Sequence, residues 1–248
     1  TRRAASGCPL PVLSLSLTPL PSCVALGGAA RWSFSRAPAM CASGGGLFAR
    51  IGAAFSSLSA RLDEVQGDAA ALNGKEFGEA CKALVPLFGE LGVALKFAGD
   101  DFVQKVEGLL ERSPEGSTIG QQIDKDVADG KAKEKGSVTR DVLRITRGLD
   151  FIRAFVEALL AADPAEESLV DPAWKAYEAE LMPYHAWVVQ TAVRAGIYTV
   201  PYRSTFLQAL GLSEAEGAEV GPGVVADLTK CSAAVRKIFM TKALGTDW

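Results

Sequence analysis

Along the middle of the chain, apolar residues recur at alternating steps of four and three: Val138, Val142, Ile145, Leu149, Ile152, Val156 and Leu159. That period puts them on one core-facing stripe and predicts a helix over 138–162. Asp163-Pro164 stops it. Ile51, Phe55, Leu58 and Leu62 predict a first helix from Leu47, followed by a turn over 67–73. The next helical region runs from Lys75 to Leu110, with Pro86 expected to kink or divide it. The charged, Gly-containing stretch 112–136 reads as a connector with a short helix near 119–127. Helices follow over 172–194, bent at Pro183, and over 204–210, with a turn at 196–202 between them. Gly221-Pro222-Gly223 reads as a chain break before a last amphipathic helix at 224–244. Strand signals are scarce and no strand–helix alternation occurs, so the fold class is all-α, with no internal repeat.

Composition narrows this picture. The chain has 248 residues, 48% of them hydrophobic, enough for a sizeable core. Its net charge of -3 argues against a nucleic-acid binder. No apolar run reaches the roughly 18 residues that a membrane-spanning helix needs. The five cysteines (8, 23, 41, 81 and 231) fit no zinc spacing, and their odd number suits no disulfide framework. Cys81 and Cys231 lie in apolar helical runs and read as reduced core thiols, which suits a cytosolic setting. No Asp or Glu precedes Asp63, while Arg2, Arg3, Arg31, Arg36 and Arg50 are spread among Ser, Leu, Pro, Ala and Gly. Residues 1–46 therefore read either as an organelle-type leader or as sequence upstream of a start at Met40, disordered in both cases. The domain is expected over 47–248.

Three polar clusters interrupt the apolar helices. Beside the core stripe runs a second one, Arg140, Arg144, Arg147, Phe151 and Phe155, cationic at its start and aromatic at its end. Such a face offers guanidinium forks to an anion and an apolar wall to whatever the anion is attached to. A phosphorylated lipid has that shape; a solvated helix face is the plainer reading. Asp101 and Lys105 share a helix face at i, i+4, the spacing of an ordinary surface ion pair. His185 is the only histidine, and an isolated histidine is more often a satisfied core residue than a ligand.

Taken in order, these elements resemble one family. Ala176-Tyr177-Glu178, Pro183-Tyr184-His185-Ala186-Trp187, Ala192-Val193-Arg194-Ala195-Gly196-Ile197-Tyr198 and Val200-Pro201 look like the signature of the glycolipid transfer protein superfamily. Arg144-Ile145-Thr146-Arg147-Gly148-Leu149 resembles its central helix, and Asp101 with Lys105 resembles its head-group helix. The resemblance covers roughly 47–245 and implies a two-layer α-helical sandwich enclosing a hydrophobic lipid pocket. The glycolipid-binding branch has Asn where this chain has Lys105 and Trp where it has Arg144. The chain is therefore similar to the ceramide-1-phosphate transfer branch, close to the plant accelerated-cell-death lipid transfer proteins. A sugar gives such cations nothing to pair with; a phosphate does.

The resemblance implies that Lys105, Arg140 and Arg144 hold the phosphate, that Asp101 accepts the ceramide amide N–H, and that His185 donates to its carbonyl. Arg147 is open between a phosphate role and a structural one. Phe97, Leu109, Phe151, Phe155, Val156 and Leu159 are the pocket candidates, with Trp187 packing beside the site. The implied activity is non-vesicular transfer of ceramide-1-phosphate by a monomeric, cytoplasmic, peripheral protein in transient contact with a membrane surface. A genuine leader would add organelle targeting. No enzyme activity, cofactor, metal or nucleic acid is implied. The rivals are a sphingolipid sensor, a glycolipid carrier and a lipid hydrolase. The last lacks a G-x-S-x-G motif and a second histidine.

Overall fold

The computed structural model describes residues 45–248, except for the side chains of Ala94 and Phe97. Readings of the leader and of Cys8, Cys23 and Cys41 fall outside the described residues, and so does the Phe97 side chain. Among the described residues there is no β-strand, only an isolated bridge between Asn73 and Thr118. Ten α-helices follow: α1 (Leu47–Glu64), α2 (Gly74–Lys82), α3 (Val85–Glu90), α4 (Val93–Arg112), α5 (Ile119–Ala128), α6 (Val138–Ala161), α7 (Val170–Glu180), α8 (Trp187–Gly196), α9 (Arg203–Leu210) and α10 (Glu214–Thr241).

The helix ends follow from local chemistry. Ser137 caps α6 by accepting from the Arg140 amide at 3.1 Å, a contact of about 1 kcal/mol. Thr118 with Gln121, and Ser213 with Glu216, form capping boxes at the starts of α5 and α10. Gly211 closes α9 at φ 76°, a left-handed cap. The packing forms a closed circuit: α4 lies on α6, α6 on α10, α10 on α1, α1 on α2, and α2 back on α4. The apolar stripe of α6 points into it, with Val142, Ile145 and Leu149 fully buried. α7 covers the remaining flank of α6. Cys81 and Cys231 are buried, unbonded thiols; burial pushes both up, Cys231 to about 12.

Three boundaries differ from the sequence reading. The region 75–110 is divided twice, and Pro86 sits in the first turn of α3, where its missing N–H costs nothing. The helix expected over 172–194 is two helices, because Pro183 ends the first in a short 3₁₀ turn at Met182–Tyr184. The reverse holds at Pro222, where α10 runs straight through. Pro222 and Ala218, whose carbonyl loses its helical partner there, are both exposed, on the side of the helix open to water. Gly221 faces inward, and a Cβ on it would come within 2.8 Å of Leu160. The glycine serves the close approach of α10 to α6, not a turn. Pro222→Ala should accordingly stabilise the protein by about 1–2 kcal/mol, less than for a buried helical proline. A denaturant melt checks this, and an unchanged or lower midpoint would contradict it.

Candidate functional site

The close seating of α4 on α6 builds the polar cluster. Gly148 allows it: a Cβ there would stand 2.4 Å from the Phe102 ring. Across this contact five charges alternate in sign. The Arg144 Nε lies 3.4 Å from one oxygen of Asp101, and the Lys105 Nζ lies 3.7 Å from the other. Lys105 Nζ is also 4.0 Å from Asp141, whose second oxygen is bonded by Arg112. Lys105 is only 7% exposed, and its ammonium also donates to the Gln104 Oε1 at 3.0 Å. The i, i+4 pair of the sequence is therefore no ordinary surface pair. Arg140 stands apart from this ladder, its guanidinium donating to the Lys133 carbonyl in the connector at 2.9 Å.

A cavity of about 390 Å³ opens beside the ladder. Asp101, Arg144 and His185 supply its polar lining, and Phe88, Phe102, Leu181, Val188 and Val193 much of its apolar wall. Tyr177, buried on α7, lies with its hydroxyl 3.1 Å from His185 Nδ1. Burial, reinforced by Arg144, lowers the His185 pKa, so the ring is neutral at pH 7. Burial raises the Tyr177 pKa, so its hydroxyl keeps its proton. A hydroxyl that donates to Nδ1 puts the ring proton on Nε2, while one that accepts from Nδ1–H leaves Nε2 bare; the 3.1 Å contact suits both tautomers.

Arg147 is 9% exposed and donates to the main-chain oxygens of Thr246 and Trp248 at 2.8 and 2.7 Å. Its guanidinium stacks 3.6 Å from the centre of the Tyr184 ring. This arrangement matches the structural reading of Arg147, tying the segment after α10 to the residue beside His185.

The apolar candidates separate. Phe151 and Phe155 are fully buried in a file of rings that leads inward from the cavity wall. Phe102 to Phe88 is 4.9 Å, Phe88 to Phe151 6.2 Å, Phe151 to Phe155 6.5 Å, and Phe155 to Phe206 5.4 Å. Val156 and Leu159 line a second cavity of about 250 Å³, shared with α9 and α10. Leu109 is core and lines neither. Trp187 is not packed: it stands 77% exposed at the start of α8, outside the cavity lining but next to Val188, which is 65% exposed and lines the cavity.

The sequence reading missed Tyr177 as the partner of His185, and Asp141 and Arg112 as members of the ladder. The i, i+8 separation of Tyr177 and His185 gave no signal. Asp141 lies beside Arg140 in the first turn of α6, and the sequence reading gave it no role. Among the described residues, no group of three His, Cys, Asp or Glu side chains is placed to hold a metal ion.

Because folding lowers the His185 pKa, protonation favours the unfolded chain. The resulting loss of stability sets in as pH falls below about 6.5 and levels off below the depressed folded value. His185→Asn should lose less melting temperature than the parent between pH 7 and pH 5. Parallel losses would show that His185 is not held neutral.

The family model described as Glycolipid transfer protein matches residues 72–212. Accelerated cell death 11 of Arabidopsis thaliana is 34% identical over 199 residues, covering 80% of this chain and 95% of that protein. The ceramide-1-phosphate transfer protein of Rattus norvegicus is 28% identical over 151 residues, covering 55% and 69%. Among solved structures, an Asp-to-Asn mutant of the Arabidopsis accelerated-cell-death 11 protein, complexed with C12 ceramide-1-phosphate, superposes with a TM-score of 0.76. It is 32% identical and covers 83% of this chain and 100% of that one. The chain belongs to the glycolipid transfer protein family.

Proposed function

We propose that this protein transfers ceramide-1-phosphate between membranes, binding one lipid at a time and making or breaking no bond. The observation that carries this reading is one cavity lined by Asp101, Arg144 and His185, with Phe88 and Phe102 in its wall and the buried Lys105 3.7 Å from Asp101. The two kinds of polar group suit the two polar parts of the ligand. Arg144 and Lys105 meet the phosphate, the first as a fork and the second as a point charge. Asp101, acceptor-only when ionised, takes the ceramide amide N–H, and His185 Nε2–H donates to the amide carbonyl. Arg140 joins them by exchanging the Lys133 carbonyl for a phosphate oxygen. The relatives named above support the lipid class: one transfers ceramide-1-phosphate by name, and another is solved with it bound.

The tails enter along the file of phenylalanines. A 390 Å³ cavity is at the small end of ligand sites and cannot enclose two long chains, so the rings swing aside as the lipid slides in. Two long chains carry well over ten kcal/mol at about 0.8 kcal/mol per buried methylene, which apolar side chains have to match. No helix among the described residues is long and apolar enough to cross a membrane. Membrane contact falls instead to the patch at the cavity mouth, where Trp187 and Val188 stand 77% and 65% exposed. The protein acts as a monomer that docks at a membrane surface from the cytoplasm.

Transfer of fluorescent lipids between vesicles tests this. Ceramide-1-phosphate should move and galactosylceramide should not, and Arg144→Leu should slow ceramide-1-phosphate at least about tenfold. Efficient galactosylceramide transfer, or indifference to the substitution, would refute the phosphate reading. Release of a hydrolysed product would instead make the protein an enzyme. Trp187→Ala should weaken sedimentation with phosphatidylcholine vesicles several-fold while leaving the melting temperature unchanged. Unaltered sedimentation would move the docking face elsewhere.

A further inference from the structure

Lys105 stands between two carboxylates that differ in kind. Asp101, 3.7 Å away, is about two-fifths exposed and lines the cavity. Asp141, 4.0 Å away, is buried and does not line the cavity. Asp141 has a second cation in Arg112, whose guanidinium reaches back from the last turn of α4. It passes over Gly108, where a Cβ would stand 2.4 Å from it.

We propose that Asp141 and Arg112 form a positioning pair that sets how Lys105 divides its charge between the buried carboxylate and the cavity, and so tunes discrimination between phosphosphingolipids and phosphoglycerolipids. The inference rests on the head-group assignment proposed above. An ammonium is a point charge and follows the stronger field. With Arg112 seated, Asp141 is largely compensated and holds Lys105 only loosely. Without Arg112, Asp141 draws Lys105 down, away from the phosphate. Without the charge of Asp141, Lys105 moves fully onto Asp101. It then adds attraction for any phosphate but occupies the acceptor that reads the amide N–H, a group glycerolipids lack. Lys105 is almost fully buried, so solvent screens these competing pulls weakly. Burial pushes the Asp141 carboxyl pKa up while Arg112 and Lys105 pull it down, so its charge depends on both partners.

The test compares vesicle transfer of fluorescent ceramide-1-phosphate and fluorescent phosphatidic acid of matched chain length, using the full chain and three variants. Asp141→Asn should raise phosphatidic acid transfer relative to ceramide-1-phosphate by roughly fivefold. Arg112→Gln should raise the half-saturating concentration of both lipids by a similar factor, with no gain for phosphatidic acid. Gly108→Ala should shift transfer in the same direction as Arg112→Gln but less, because the flexible end of Arg112 has to move around the methyl. Alanine is the better helix former, so a loss there cannot come from a weakened α4. Opposite responses of the Asp141 and Arg112 variants support the pair, because a merely structural role would move both the same way. Responses of one sign, or none, overturn it. If Asp141→Asn fails to fold, normal transfer by both Arg112→Gln and Gly108→Ala overturns it equally. A parent protein that moves neither phosphate lipid sinks the head-group reading itself and this inference with it, a result distinct from intact transfer with unresponsive variants.

Discussion

The polar cluster depends on how closely α4 lies on α6. That distance is set where Gly148 receives the Phe102 ring. A larger residue would lift α4 away, and the separations along the ladder would lengthen together. At its present depth the ladder brings three cations and two carboxylates into alternating contact. Half-buried charges at such spacing are tolerable only because each has an opposite neighbour. The carboxylates are therefore part of what lets the cations gather, beyond any contact they make with a ligand.

A second network fixes the other half of the site. Asp150 on α6 is bonded by Arg236 from α10, with Nε at 2.9 Å. Glu180 on α7 takes Arg153 of α6 at 2.6 Å and lies 3.6 Å from Arg236. Three helices are thus pinned at one point by two acids and two guanidinium groups, near the chain reversal that carries His185. Burial and the neighbouring Asp150 raise the Glu180 pKa, a cost that Arg153 and Arg236 offset. Tyr177 sits on the same helix as Glu180, so this clamp also sets where the Tyr177–His185 pair meets the cavity.

The core was the most legible part of the sequence. The stripe from Val138 to Leu159 is buried as its period requires, and the α6 boundaries agree within a residue. The match to the glycolipid transfer protein family, carried by the residues from Tyr177 to Pro201, holds as well. Asp101, Lys105, Arg144 and His185 stood out in the sequence because they interrupt apolar helices, and the structure brings Asp101, Arg144 and His185 to one cavity with Lys105 beside Asp101. Asp141 and Arg112 were not, since a charge among other charges carries no contrast and their pairing joins two helices. Trp187 was read as packed because an aromatic residue beside a motif reads as packing, whereas it stands exposed at the start of α8. Pro222 misled for a related reason. Proline next to glycine signals a break, but the signal fails where the lost hydrogen bond faces water and the glycine faces a neighbouring helix.

The file of phenylalanines has a consequence for energetics. Their rings already cover the apolar walls between which the proposed tails would lie. Exchanging rings for chains then brings little of the protein's apolar surface into or out of water. The chains likewise pass from one hydrocarbon phase, the bilayer, into another. Hydration of the tails nearly cancels between the two states, and the heat-capacity change of loading should be small for so large a ligand. What remains to set the direction is the polar end and the abundance of lipid in each bilayer. A carrier built this way runs downhill in either direction, and any hold on its cargo beyond that of the membrane rests on the polar end alone.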